Sequence, residues 1–323
     1  MNRTVFRIML MLLICGFCHP AFSAEKKCYP CYMISSPVKI DGQLDESAWR
    51  SLPETAGFHI LHRQKYAEFK QTFFKAGWNR KNLYLGVKCI EPDISQVKVS
   101  KKDGDSRICL EDSIELFLFP KTLQKYFQFM VNIQGKRWNG IGAGSKVYPL
   151  WNWKAACFRG KGFWSLEVEI PFSVLVRTPA DKEKWDFNVT RNTTVSGIGS
   201  NRYTTWARLK SGGFHDYKNF ALIQFINRPL TMENSLKIEE SLSPDFNSQT
   251  KAEIKKLLTE IQGKESLLKS AGEKTAFNCI ILEAQKKPAD NKAAPSELYF
   301  VLSKLRQLQK KLTALEMQFL LDN

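Results

Sequence analysis

Apolar and polar residues alternate with a period of two along several runs in the first two thirds of the chain. Runs of this kind cover residues 72–78, 83–89, 127–133 and 164–170. Glycine, proline and asparagine bound these runs, which is the pattern of half-buried strands. Since each strand has one apolar face, two sheets must pack together to bury those faces. The pattern predicts a mainly β fold, an antiparallel β-sandwich of the jelly-roll kind, over residues 35–228.

After Pro229 the apolar residues recur every three or four positions, which is typical of helices. Residues 249–287 form one such segment, and residues 288–295, which lack aromatic and large aliphatic side chains, are predicted to be a linker. Ser296 then has the character of a helix N-cap ahead of a final leucine-striped helix. We predict a C-terminal α-helical hairpin in an accessory region, residues 229–323. It could pack on the sandwich, self-associate as a coiled coil, or bind a protein partner.

The N-terminus has the three parts of an export signal. Arg3 and Arg7 are basic, residues 8–17 are apolar, and small residues occur at positions 21–23. No later stretch approaches the roughly 20 apolar residues of a membrane helix. We predict a cleaved signal peptide at residues 1–24, a short N-terminal segment at 25–34, and no transmembrane segment. The protein is then exported, either secreted or periplasmic.

Cysteines and charge refine this expectation. Exported proteins meet oxidising conditions, so the even number of remaining cysteines favours disulfides, with the pairing left open. These residues are Cys28, Cys31, Cys89, Cys109, Cys157 and Cys279.

The formal net charge is +16, and residues 231–323 contribute little to it, with 14 Lys and Arg against 13 Asp and Glu. The basic excess therefore lies in the β region, where it attracts polyanions. An exported protein meets acidic polysaccharide more often than nucleic acid. We predict an acidic polysaccharide as the charged partner, and no nucleic acid; a solvated basic face without a specific partner is the alternative.

Seven short motifs follow one another in a fixed order between residues 40 and 220. They are IDGQLDESAW, NLYLGV, EDSIELFLFP, FQFMVN, WSLEVEIP, WDFNVTRN and FHDYKNF. In order and wording the series resembles the family 9 carbohydrate-binding modules and their DOMON-like relatives. The resemblance covers most of residues 35–228 and none of the helical tail. It implies a β-sandwich that binds carbohydrate without catalysis.

The resemblance also implies a sugar site, in which two aromatic rings sandwich a pyranose and polar groups bind its hydroxyls. Motif for motif, Glu115 stands at the position of a sugar-contacting glutamate, Asn132 at that of an asparagine, and Phe214 at that of one aromatic ring. Two positions depart from the family. Cys109 stands in place of the second aromatic residue, a tryptophan, and Met130 stands in place of an arginine.

Three tryptophans offer a replacement stacking surface. Trp138, Trp151 and Trp153 fall in an irregular, glycine-containing stretch, and loops on a rigid scaffold often carry binding residues. The alternative for these tryptophans is packing in the core or anchoring of the loop.

We predict no cofactor, with calcium as the single alternative. Some relatives bind calcium, and the acidic residues Asp103, Asp105, Glu111 and Asp112 supply hard oxygen ligands, although their spacing matches no complete EF-hand loop. His59 and His62 are close in sequence, but no further zinc-type ligands accompany them.

The sequence thus predicts an exported, non-catalytic carbohydrate-binding module linked to carbohydrate catabolism. A structural or partner-binding protein that has lost the sugar slot is the first alternative. A glycoside hydrolase is the second, but nothing marks a pair of carboxylates as acid and nucleophile.

Overall fold

The computed structural model describes residues 26–63, 65–142, 146–147, 152–194, 202–290 and 292–321. The predicted signal peptide and Trp151 lie outside these residues.

Thirteen strands form one mixed β-sheet in the described part of the chain. The strands are β1 (Cys28–Met33), β2 (His59–Ile60), β3 (Thr72–Trp78), β4 (Asn82–Ile90), β5 (Ser113–Phe119), β6 (Phe127–Asn132), β7 (Arg137–Ile141), β8 (Lys146–Val147), β9 (Lys154–Gly160), β10 (Phe163–Pro171), β11 (Lys184–Asn192), β12 (Tyr203–Thr205) and β13 (Ala221–Pro229). Their order is β8-β7-β6-β5-β11-β13-β1-β3-β4-β10-β9, with β12 paired to β11 and β2 paired to β12. The alternating runs at β3, β4, β6 and β10 are therefore strands, as the sequence predicts.

Most neighbouring strands are antiparallel, but β1 is not. It lies between β13 and β3 and runs parallel to both. Parallel neighbours need long connections, and the chain supplies them, since these strands are far apart in sequence. The prediction of a purely antiparallel sheet is therefore wrong at β1, and the strand itself lies within the predicted N-terminal segment.

The sheet curls so that its two halves face each other. Phe74 of β3 packs against Phe187 of β11, with ring centroids 5.7 Å apart. At the far ends, the Cys157 thiol of β9 donates to the Asn132 carbonyl of β6 at 3.3 Å. Apolar side chains of both halves fill one core between them. The predicted face-to-face packing is thus matched in part, within one continuous, nearly closed sheet.

The helical tail is confirmed, but the hairpin is wrong. The α-helices in the described residues are α1 (Ser47–Arg50), α2 (Met232–Leu242), α3 (Pro244–Ile261), α4 (Ala271–Lys286) and α5 (Pro295–Leu321). Gly263, at φ +85°, divides the segment that the sequence predicts as one helix into α3 and α4. A Ser270–Glu273 capping box then starts α4. None of the helices in the described ranges is long and apolar enough to cross a bilayer.

The tail packs against the sheet of its own chain. Phe73 of β3 contacts Phe246 of α3 and Tyr299 of α5, with ring centroids 6.3 and 5.8 Å apart. Polar contacts join the same surfaces, because both carboxylate oxygens of Glu54 accept hydrogen bonds from Ser296. A second apolar core lies between helices and sheet.

Cys31, Cys89, Cys109, Cys157 and Cys279 form no disulfide in the described chain, so the pairing that an even number of cysteines favours is not formed among them. For one pair the reason is geometric. Cys28 and Cys31 are three residues apart on β1, and side chains three apart on a strand point to opposite faces.

Candidate functional site

The opening motif, residues 40–49, is held by a carboxylate from another strand. Glu167 of β10 is fully buried, and its Oε2 accepts the backbone N–H groups of Asp41 and Gly42, both at 2.9 Å. Its Oε1 accepts the indole N–H of Trp49 at 2.7 Å. Burial raises the pKa of Glu167 to about 7, while these hydrogen bonds act in the opposite direction. The motif therefore serves to fix the chain against β10.

Two glycines of the motifs make this arrangement possible. Gly42 has φ +90°, and a Cβ there would lie 2.4 Å from the backbone carbon of Cys157. Gly86 of β4 lies beneath the motif, where a Cβ would meet Leu44 at 2.7 Å and the Trp49 ring at 3.3 Å. The motif spacing thus has a packing explanation at these positions.

Glu115, the predicted sugar-contacting carboxylate, lies at the centre of a polar face. Ile114 and Leu116 enter the main core, so Glu115 points to the opposite side of β5. Its carboxylate accepts the side-chain amides of Gln128 at 2.6 Å and Asn192 at 2.8 Å. Burial raises the pKa of Glu115, and the two amide hydrogen bonds oppose that rise. We call Glu115, Gln128, Thr190 and Asn192 the polar face.

The polar face keeps unused hydrogen-bonding capacity. Gln128 Oε1 and Thr190 Oγ1 are buried and have no partner among the described residues. Thr190 lies directly opposite Glu115 on the neighbouring strand, and Trp138, opposite Met130, also has an unpaired indole N–H. Unpaired buried polar groups cost free energy. A ligand that carries hydroxyl groups could supply the missing partners.

The positions that depart from the family cover this face. Met130 and Trp138 form a small apolar cluster with Ile108, and Cys109 packs against it. The Cys109 thiol donates to the Ser106 carbonyl at 3.3 Å. Burial raises the pKa of Cys109, with the charge of nearby Glu115 adding to the effect. The charge of Glu115 thus acts on Cys109, which presents no ring, and the place of Cys109 in a sugar site stays a prediction.

Asn132 and Phe214 are placed differently from Glu115. Asn132 accepts the backbone N–H groups of Gln134 and Lys136 and donates to Glu111, so its side chain holds the turn after β6. Phe214 is buried, with its ring edge-on to Tyr203 at 5.9 Å. Their roles in binding remain predictions.

The suggestion of a tryptophan stacking surface needs a correction. Trp138 and Trp153 are fully buried. Trp153 packs on Phe129 of the main core and donates its indole N–H to Asn139, with the Arg137 guanidinium over its ring. A sugar has no access to either ring in this conformation, because Trp153 lies in the main core and Trp138 is enclosed in a small cluster with Ile108 and Met130.

The four acidic residues of the calcium prediction have separate partners. Asp103 accepts the Arg137 N–H, and Asp105 pairs with Arg107. Glu111 binds the backbone of Ser100 and Lys101 and the side chain of Asn132, and Asp112 binds Thr194. Calcium binding by these residues remains a prediction.

In the described chain, the three carboxylates whose ligand atoms lie within 4.8 Å of one another are Asp41, Glu46 and Glu167. Glu167 already accepts three N–H groups there, which leaves little lone-pair capacity for a cation.

A family model described as "carbohydrate family 9 binding domain-like" matches residues 40–227, more than half of the chain. The chain belongs to this family. That membership confirms the resemblance read from the seven motifs and, at the level of the family, non-catalytic carbohydrate binding. It also indicates a binding module rather than a catalytic domain.

The fold of this chain is similar to that of solved structures. A protein from Bacteroides uniformis ATCC 8492 whose carbohydrate binding is inferred matches with 14% identity and a TM-score of 0.51, over 62% of this chain and 100% of that one. Two structures of a family 9 module from Caldicellulosiruptor kristjanssonii match over 62% of this chain. The complex with cellotriose has 17% sequence identity to this chain and a TM-score of 0.48, and the match covers 95% of its own chain. The complex with glucose has 16% sequence identity and a TM-score of 0.47, and the match covers 96% of its own chain. No curated protein matches the chain.

Sequence reasoning missed three members of the polar face of this family 9 domain, Gln128, Thr190 and Asn192. They lie within the quoted motifs, Gln128 in FQFMVN and Thr190 and Asn192 in WDFNVTRN. The sequence signal that could have identified them is a polar side chain on the face of a strand that points away from the main core, in a strand whose two faces are both buried.

Proposed function

We propose that this family 9 domain binds a glycan at the polar face, in an exported protein that takes part in carbohydrate breakdown without catalysing it. The observation that carries the proposal is the buried carboxylate of Glu115 held by two side-chain amides, Gln128 and Asn192. Carboxylates and amides are the groups that hydrogen-bond sugar hydroxyls, since together they offer acceptors and donors.

The same set of groups argues against hydrolysis. Glycoside hydrolysis needs two carboxyl groups on either side of the scissile bond, about 5 to 9.5 Å apart. The side chains that contact Glu115 in the described structure are amides and not carboxyls. They can orient hydroxyl groups, but they cannot supply both the acid and the nucleophile.

Binding at this face requires a local opening. Glu115 is only 3% exposed, and Ile108 of the short helical segment Ser106–Leu110 packs with Met130, which lies opposite Glu115 on the neighbouring strand. That segment is a single 3₁₀ stretch of five residues outside the sheet, so its displacement breaks no strand pairing and costs less than the opening of a strand. A glycan would replace the covering side chains and satisfy Gln128 Oε1 and Thr190 Oγ1.

A glycan panel tests the proposal. We would measure binding of the full chain to neutral, uronate and sulfated glycans at low and moderate salt. We expect salt-resistant binding to a defined glycan, reduced on the order of tenfold or more in Glu115→Gln, which puts an amide where two amides donate. Glu240→Gln, at an exposed helix position, is the control and should bind as the parent does. Salt-resistant binding that is equally tight in Glu115→Gln and in the parent chain would contradict the assignment of the polar face as the binding site.

A second candidate function is that of a structural or partner-binding protein without a sugar slot. The observation that favours it is Cys109 beside a covered Glu115. Cys109→Trp separates the two candidates, because it restores an aromatic ring at that position. Sugar binding gained only in Cys109→Trp would support the second candidate, whereas binding in the parent chain would exclude it.

Export is tested separately. We expect the protein in the medium or periplasm of an expressing bacterial cell, with its N-terminus near residue 25. Retention of an intact N-terminus in the cytoplasm would contradict this part of the proposal.

A further inference from the structure

A cleft with an unusual charge lies beside the polar face. It has a volume of about 310 Å³ and lies between the turn after β2 and the segment after β12. We call it the basic cleft; its polar lining residues are His59, His62, Arg63, Thr205, Arg208 and Lys210. No acidic side chain is part of this lining.

The cations of the basic cleft are not neutralised by ion pairs. Arg63, Arg208 and Lys210 form no salt bridge with the described residues, and Arg208 has a hydrogen bond to the Tyr66 hydroxyl. Of the acidic residues near these cations, Asp216 interacts electrostatically with Lys210. Asp216 accepts the backbone N–H groups of Lys210 and Ser211, and Asp245 acts on Tyr66 and on Lys27. Such a concentration of free positive charge attracts an anion.

His59 supplies a second and independent observation. It lines the basic cleft at 3% exposure, and both of its ring nitrogens are buried with no partner among the described residues. Its surroundings are electropositive. Burial lowers the pKa of His59 to about 3, and the charges of Lys27 and Arg208 contribute to the fall. A neutral His59 can donate one hydrogen bond to an anion without adding charge.

The basic cleft is close to the polar face through the sheet. Thr205 lies opposite Thr190, and Thr190 lies opposite Glu115. Two strand spacings of about 4.8 Å place Thr205 roughly 10 Å from Glu115. Two linked sugar residues span a similar length, so one glycan chain could contact both places.

We propose that the basic cleft binds the oxyanion group of an acidic polysaccharide, a carboxylate or a sulfate ester, next to the glycan held at the polar face. The inference rests on the proposed function only for the identity of the ligand as a carbohydrate. The guanidinium groups of Arg63 and Arg208 suit planar carboxylate and tetrahedral sulfate alike, because each can donate two parallel N–H bonds. Lys210 and His59 then complete the donors.

A charge-matched pair of variants tests the proposal. The double variant Arg63→Gln/Lys210→Gln removes two cations of the basic cleft, whereas Lys121→Gln/Lys184→Gln removes two exposed, unpaired cations elsewhere. We would measure the affinity of the full chain for polygalacturonate and for dextran sulfate at about 0.15 M salt, where the Debye length is about 8 Å. We expect a loss on the order of tenfold in the first double variant and less than about twofold in the second.

The two polymers distinguish the two oxyanion sources. Selective loss of polygalacturonate binding assigns a carboxylate, and selective loss of dextran sulfate binding assigns a sulfate ester. Equal losses in both double variants would overturn the proposal, since they would reduce binding to general surface charge. Equally tight, cleft-dependent binding of single-stranded DNA would overturn the carbohydrate assignment.

Failure of this inference and failure of the proposed function give different results. If the basic cleft is not a site, glycans still bind through Glu115, and the acidic polymers bind equally well to parent and cleft variants. If the polar face is not a site, Glu115→Gln has no effect, while inorganic sulfate at millimolar concentration still competes for the cleft. Arg208→Lys keeps the positive charge but removes the two parallel N–H donors of the guanidinium, so a loss of affinity in that variant supports bidentate binding of the oxyanion.

Discussion

At the scale of single residues, the motifs of this chain are explained largely by close packing and by buried charge. Glu167 gathers three N–H donors of the opening motif, and Gly42 and Gly86 leave the space that this needs. Arg191, within the WDFNVTRN motif, is fully buried and donates to the carbonyls of Ile90 and Lys70. Motif residues that look functional in sequence therefore build the scaffold.

Gly42→Ala should destabilise the protein by at least about 2 kcal/mol. The positive φ and the approach of the Cys157 backbone both exclude a Cβ. Gly213→Ala is the matched control, because nothing lies within 4 Å of its added Cβ, and it should change the unfolding free energy by no more than about 0.5 kcal/mol. Denaturant unfolding checks both; equal effects would contradict the packing explanation.

Arg191→Met should cost about 3 to 5 kcal/mol of unfolding free energy. Its guanidinium pairs with Glu91 at 3.1 Å, and both side chains are fully buried, with Lys70 as the second cation at 2.8 Å. The substitution leaves Glu91 with a single cation in a low-dielectric environment. Arg177→Met breaks a partly exposed pair with Glu183 and should cost no more than about 1 kcal/mol. Similar losses in the two variants would show that burial does not set the cost.

At the scale of elements, the helices are joined to the sheet by buried acids as well as by apolar contacts. Glu239 of α2 accepts the backbone N–H of Glu54 at 2.7 Å, and its Oε1 lies 3.7 Å from the Nζ of Lys75. Burial raises the pKa of Glu239 to about 7, against the pull of Lys75 and of the hydrogen bond. The attachment of α2 is therefore sensitive to pH.

The contribution of Glu239 to stability should fall as pH rises from about 4.5 to about 7. Folded Glu239 keeps its proton up to about pH 7, whereas the unfolded chain releases it near the ordinary value of 4.5. At Glu239 the folded state thus binds more protons in this window, so the contribution of this residue to the unfolding free energy decreases with pH, whereas the lowered pKa of His59 acts in the opposite direction. Glu239→Gln should remove up to about one proton from this dependence. Unfolding midpoints measured across the window check this; an unchanged slope would contradict it. Glu167 continues to contribute in the variant, since its pKa is also about 7.

At the scale of the whole molecule, sequence predicts what is periodic and local. The alternation at β3, β4, β6 and β10 identifies strands, because one face of each is buried in the main core. It does not identify β1, where Tyr29 and Pro30 break the pattern and whose partners lie far along the chain. A strand that is inserted between distant strands leaves no local signature.

The candidate site divides in the same way. Motif order assigns Glu115 and Cys109 to one sugar site, which stays a prediction, and the structure shows that the charge of Glu115 acts on Cys109. Sequence could not tell that Trp138 and Trp153 are buried, since a tryptophan in a loop and one in a core look alike without the fold. Nor could it find the basic cleft, because Arg63 and Arg208 are brought together only when β2 pairs with β12.

Helices and sheet should unfold together. Phe246 of α3 is buried against Phe73 of the sheet, and α5 continues the same apolar core through Tyr299 and Leu302. Because the sheet face under the helices is apolar, neither part is stable without the other, and calorimetry should give one transition. Phe246→Ala removes a buried ring at this junction and should lower the unfolding free energy by about 3 to 5 kcal/mol, with the transition still single. Leu282→Ala, at an exposed helix position, is the control and should change little. Two separate transitions, with only one shifted by Phe246→Ala, would show instead that the helical tail is an independent unit carried by the sheet domain.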